Sequence, residues 1–124
     1  MLVEADGKLA SGQTLKDAIS LVDAETDNAP AYYMLNCAHP LDYESALEDA
    51  PWMKRLRGIR PNASSKSHGE LCELGRLDEG DPVELGQQIG ELSRRFGHIN
   101  VFGGCCGTDH VHVEEICKRV LAVN

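Results

Sequence analysis

The chain has 124 residues, of which 42% are apolar and 26% charged, and a formal net charge of −8. That length suits one ordinary domain, the balance is that of a soluble globular protein, and the acidic excess argues against a nucleic-acid groove, which requires a basic stripe. No apolar run approaches the ~18 residues of a membrane span, and the opening MLVEADGKLASG lacks the basic and apolar regions of a secretory signal.

In chain order, MLVEA (1–5) reads as the tail of a strand and DGKLASG (6–12) as a turn-rich loop. Residues 14–25 carry Leu15, Ala18, Ile19 and Val22 at helical spacing, with Thr14 as N-cap. AYYMLNC (31–37) reads as a buried strand, and residues 42–56 as a helix broken near Pro51. RGIRPNA (57–63) reads as a short strand that stops at Pro61, and SSKSHGEL as a loop entering a short helix. Residues 81–97 form the clearest helix: Asp81 caps it, Pro82 starts it, Gly97 follows it, and Leu85, Ile89, Leu92 and Phe96 make its apolar stripe. HINVFGG (98–104) is a strand. Residues 108–122 are a final helix with Val113, Ile116, Cys117, Val120 and Leu121 on one face. Alternating strands and helices of this kind predict a parallel sheet covered by helices, either doubly wound or part of a (β/α)8 barrel. In both architectures the site lies in the loops after the strand C-termini.

Five cysteines stand at positions 37, 72, 105, 106 and 117. An odd count, wide spacing and no export signal predict a reducing cytoplasm, where metal binding and catalysis matter more than staples. Cys37, Cys105 and Cys106 follow strand ends, so a parallel sheet brings them to one rim despite ~70 intervening residues. Three thiolates there are a candidate zinc set with a fourth position open. The same residues also read as small core thiols, or Cys105 and Cys106 as a vicinal disulfide, and spacing alone does not choose. Gly103, Gly104 and Gly107 give the backbone the freedom to aim both neighbouring thiols at one ion, and Thr108 would cap the last helix, whose positive end would face the cluster. Cys72 and Cys117 read as small apolar residues.

Other polar residues carry weaker signals. His39 reads as a loop residue shaping the rim, and His110 and His112 as surface or supporting groups, because an i, i+2 pair does not share a helix face. His68 and His98 show no pattern. Glu4 and Asp6 lie past the first strand, where they would bind an amine or simply be solvated. Asn36 and Asn62 sit at strand ends, suited to binding a polar substrate or to tying down a loop. GGCCGT lacks the lysine of a phosphate-cradling loop.

NCAHP after one strand and GGCCGT after a later one together resemble the homocysteine S-methyltransferase family, as do EADGKLASGQTL and IRPNASSKSHGELCELGRLDEGDPVELG. The resemblance covers residues 1–124 as a single unit and implies the carboxy-terminal half, strands five to eight, of a zinc-dependent (β/α)8 barrel. It implies Cys37, Cys105 and Cys106 as the zinc ligands. Glu4, Asn36, Asn62 and Thr108, beside the same rim, are the expected substrate-binding residues. It also implies a cytoplasmic methyltransferase of methionine biosynthesis, making methionine from homocysteine and a small methyl donor: S-methylmethionine, S-adenosylmethionine, a betaine-like compound or a folate. Zinc would take the homocysteine thiol as fourth ligand and lower its pKa. A whole barrel of this kind needs about 250 residues. The expectation is therefore a fragment of a longer enzyme, a chain that pairs with a separate amino-terminal half, or a homodimer. The competing expectations are a truncated, non-catalytic zinc-binding assembly module and a thiol redox protein using Cys105 and Cys106.

Overall fold

The computed structural model describes residues 1–66, 70 and 78–123. Cys72, His68 and most of the short helix expected after SSKSHGEL lie outside the described residues.

Among the described residues, three parallel strands form the sheet: β1 (Tyr33–Ala38), β2 (Leu56–Pro61) and β3 (Val101–Phe102), in the order β1-β2-β3. Consecutive strands lie side by side and run parallel, as repeated βα units require. The expected first strand is only a strand-like edge. Met1 carbonyl accepts the Asn36 N–H at 2.9 Å, and the Met1 amino group donates to Met34 carbonyl, so the two bonds flank residue 35 as in a parallel pairing. The chain then leaves through a turn at Gly7.

Helix α1 (Leu15–Thr26) starts where expected, with Thr14 Oγ1 accepting the Asp17 N–H at 3.1 Å. Leu15, Ala18 and Ile19 are buried, whereas Val22 is exposed. The helix expected over 42–56 is a chain of short pieces: α2 (Pro40–Tyr43), then 3-10 turns at Glu44–Ala46 and Pro51–Arg55. Pro51, at the start of the second turn, cannot donate the N–H that a continuous helix would need there.

Helix α3 (Pro82–Arg95) is capped by Asp81, whose carboxylate accepts the Val83 and Glu84 N–H groups. Its stripe of Leu85, Ile89, Leu92 and Phe96 is buried, as the spacing predicts. Together with Leu15, Ile19, Leu35, Leu56, Ile59 and Ile116 it forms one core. That core is the dominant favourable contribution to folding.

Helix α4 (His110–Val123) packs along α3, but its buried arc differs from the expected one. His112 and Ile116 are buried, whereas Val113, Cys117 and Leu121 are exposed. The helix is thus rolled by one position, about 100°. His112 is held inside by its Nε2, 2.7 Å from Glu79 carbonyl. No helix among the described residues is long and apolar enough to cross a membrane.

Candidate metal centre

Cys37 reaches the rim through a bulge. Asn36 pairs with Arg60 and Ala38 with Pro61, so Cys37 is an extra residue on β1. Its φ of 56° lies in the left-handed region that a non-glycine residue seldom adopts. The bulge breaks the alternation of the strand: Tyr33 and Leu35 are buried, then Ala38 takes the next inward place and Cys37 turns out of the row.

The other two cysteines stand in the loop after β3, which stays alongside β2, Gly103 N–H donating to Ile59 carbonyl at 3.2 Å. The end of β2 holds this loop. Cys105 N–H donates to Pro61 carbonyl at 2.9 Å, Cys106 N–H to Asn62 Oδ1 at 3.1 Å, and Ala63 N–H to Cys106 carbonyl at 3.0 Å. Arg60 adds a bond to Gly104 carbonyl at 3.1 Å. Of the three glycines, Gly107 takes a left-handed φ of 79°, and a Cβ there would stand 2.3 Å from Asp78 carbonyl oxygen. Gly104 is required by close approach instead, since a Cβ would meet Thr108 Oγ1 at 2.2 Å.

These constraints bring the Sγ atoms of Cys37, Cys105 and Cys106 within 4.8 Å of one another. Cys37 and Cys105 are joined as a disulfide across 68 residues of sequence, with Cα atoms 5.4 Å apart, and Cys106 is a free thiol. The bonded pair is therefore not the vicinal one. A disulfide on two of the sulfurs and a metal ion on all three are alternative states of one cluster, because the thiolate is the metal-ligating form and a sulfur oxidised into a disulfide is no longer one. The fold fixes the gathering of three sulfurs; redox conditions decide whether two of them are joined. In reduced form the trio suits a soft or borderline cation, for which tetrahedral thiolates sit ~3.8 Å apart around zinc at ~2.3 Å.

The polar residues expected near the trio divide. Glu4 and Asn62 line a small cavity of about 60 Å³ with Cys37, Asp42 and Lys66. Asn62 is only 3% exposed. Asn36 instead accepts a bond from the Met1 amino group at 3.0 Å. Thr108 does not cap α4: its hydroxyl donates to Cys105 carbonyl at 2.7 Å, and Asp109 takes the cap by accepting the Val111 N–H at 2.9 Å. Part of the positive end of α4 is thereby engaged by a carboxylate. Asp6 accepts the Lys8 N–H and borders a separate cavity of about 340 Å³.

His39 is buried and caps α2, its Nδ1 accepting the Leu41 N–H at 3.2 Å. Burial lowers its pKa, which favours the neutral ring that this acceptor role needs. His110 is exposed, and His98 Nε2 lies 2.7 Å from Met53 carbonyl.

Lys66 was not singled out by the sequence, where one lysine in a serine-rich loop carries no pattern. It pairs with Asp78, and that hydrogen bond, with a second from Ser64, holds the Asp78 carboxyl well below the usual range. Lys66 also borders a larger polar cavity of about 280 Å³ shared with His39, Asp81 and Glu84. A cleft of about 560 Å³ lies away from the trio, between β3, the end of α3 and the exposed side of α4.

Parallel βα units with a thiol trio at the strand ends define an α/β protein whose rim can hold a metal ion. The chain belongs to the homocysteine S-methyltransferase family, whose sequence profile matches residues 1–120. It is a family of methyltransferases. No solved structure matches the chain.

Proposed function

We propose that the chain is the zinc-bearing half of a homocysteine S-methyltransferase, transferring a methyl group to the homocysteine thiol to give methionine. The observation that carries this reading is the meeting of Cys37, Cys105 and Cys106 within 4.8 Å at the strand-end rim of a chain that belongs to this family. Cys37, Cys105 and Cys106 would hold the ion in the reduced state expected of cytoplasm. Bound there, zinc supplies the Lewis acidity that keeps a substrate thiol ionised near neutral pH.

The charges around the trio suit an amino-acid substrate. Glu4 would offer a carboxylate to the ammonium group, and Lys66 a cation to the carboxylate, since both line the cavity beside Cys37. Asn62 contributes a polar edge there, while Asn36 and Thr108 support the substrate indirectly, through the first residues and the Cys105 loop. Whichever donor is used, the acceptor sulfur must lie in line with the methyl group it attacks.

Zinc-loaded, reduced protein is expected to bind homocysteine and not homoserine, which has a hydroxyl in place of the thiol. Mass spectrometry with S-methylmethionine, S-adenosylmethionine, betaine or a methylfolate in turn then identifies the donor. Equal binding of homoserine would contradict the reading. A second reading is favoured by the outer edge of β3 and the apolar cleft beside it, lined by Ile99, Phe102, Val120 and Leu121. In that reading the half barrel is a zinc-binding assembly module, and a second copy or a separate amino-terminal half completes it. Zinc binding without homocysteine binding, together with a dimer by light scattering, would select it.

A further inference from the structure

Three thiols, one from a strand bulge and two from a loop, do not meet within 4.8 Å by chain connectivity alone. Cys37 lies in β1, whereas Cys105 and Cys106 follow β3, and β2 lies between the two strands. Asn62, one residue past the end of β2, touches both sides. Its backbone N–H donates to the carbonyl of Ala38, next to Cys37, at 2.9 Å. Its side-chain Oδ1 accepts the N–H of Cys106 at 3.1 Å.

Cys105 and Cys106 are not held alike. Cys105 is fixed through its backbone N–H to Pro61 carbonyl and through its own carbonyl to the N–H and hydroxyl of Thr108. Cys106 is exposed; its carbonyl accepts the Ala63 N–H at 3.0 Å, but the bond holding its own N–H comes from a side chain. On the next residue, Gly107, the chain turns through a left-handed φ. The Asn62 carbonyl oxygen therefore bears on where the third sulfur sits.

We propose that Asn62 is a positioning residue whose side-chain carbonyl sets Cys106 in the trio and thereby sets the affinity of the chain for zinc. The inference rests on the reading of the trio as a metal site and adds the residue that assembles it. Groups outside the ligand set that orient ligands typically change metal affinity by about 10- to 100-fold when removed. Asn62 is nearly inaccessible to solvent, so water does not readily replace the missing acceptor.

The test compares the reduced full chain with Asn62→Leu, which keeps the approximate size and removes the acceptor, and Asn62→Asp, which keeps it. Zinc affinity is read by competition with a chromophoric chelator. Cobalt(II) is then substituted, because the thiolate-to-cobalt charge-transfer absorption reports how many thiolates are bound. Asn62→Leu is expected to lose about 10- to 100-fold in zinc affinity and to drop from a three-thiolate to a two-thiolate cobalt spectrum. Asn62→Asp is expected to restore both, and a role confined to holding the fold would not change the thiolate count. Circular dichroism of the metal-free proteins checks folding. Should Asn62→Leu fail to fold, Asn62→Asp is compared with Asn62→Ser, whose shorter side chain does not reach. Equal affinity and equal spectra in acceptor-bearing and acceptor-lacking proteins would overturn the proposal. A wild-type chain that binds no zinc would instead overturn the metal reading itself, and the inference with it.

Discussion

The two ends of the small sheet are built on opposite principles. Where the strands begin, opposite charges meet. Asp23 on α1 takes two bonds from Arg55, at 2.8 and 3.0 Å, and one from the Tyr33 hydroxyl at 2.9 Å, while Arg55 also reaches Ala31 carbonyl at 3.0 Å. The guanidinium beside Asp23 holds its carboxyl below the ordinary range. Where the strands end, like groups are pressed together: three sulfurs lie within 4.8 Å, and one of their residues is held in a left-handed conformation. The first end is an arrangement that stabilises a fold. The second spends stability to gather ligands, as functional rims in parallel βα proteins do.

This contrast can be broken from either side. The largest effect is expected from Cys105→Ser, which should take zinc content of the reduced protein from about one per site to near zero, because a hydroxyl is a poor substitute for a thiolate ligand. Cys117→Ser, on the exposed side of α4, should leave zinc content unchanged. Elemental analysis after gel filtration decides both. Retention of zinc by Cys105→Ser would remove the trio as its site.

Ile89→Ala should act on the other axis. Ile89 is fully buried in the core between α3 and its neighbours, and its truncation should cost about 2–5 kcal/mol in a denaturant titration while zinc stoichiometry persists under native conditions. Gly107→Ala combines the two effects. Its left-handed φ and the contact with Asp78 carbonyl predict a loss of about 1–3 kcal/mol together with weakened zinc binding. A Gly107→Ala protein with wild-type zinc affinity would show that the loop has more latitude than its geometry implies.

The smallest effects are those of pH. Asp23 and Asp78 both have folded pKa values below their ordinary value of 3.8. Below that value the unfolded chain takes up protons that the folded chain refuses, so stability rises with pH there and is lost as pH falls through the folded values. Melting temperature should therefore decline between about pH 5 and pH 2, and Asp23→Asn should flatten the decline. Added salt should weaken the Asp78 contribution more, because its partner Lys66 is nearly half exposed and open to screening, whereas Arg55 is more sheltered.

Much of the frame was legible in the sequence, because helical spacing and caps are local. Asp81, Pro82 and the stripe from Leu85 to Phe96 announced α3, and the positions of Cys37, Cys105 and Cys106 after apolar runs announced their meeting at a rim. The features that shape the site were not local. The bulge at Cys37 depends on how β1 registers against β2. The bond from Cys106 to Asn62 spans 44 residues, and polar side chains at strand ends do not disclose which partner they will find. The face of α4 was misjudged because apolar type was taken as the guide to burial. Val113 and Leu121 face outward, Leu121 beside an open cleft, while His112 is held inside by bonds to Glu79 and Asp109.

The measurement that bears most directly on the central claim is X-ray absorption at the zinc edge on the reduced, zinc-loaded chain. Three sulfur neighbours at about 2.3 Å with one lighter fourth ligand are predicted, and a fourth sulfur should appear when homocysteine is added. A first shell of nitrogen and oxygen alone, or reduced protein that retains no zinc, would contradict the account.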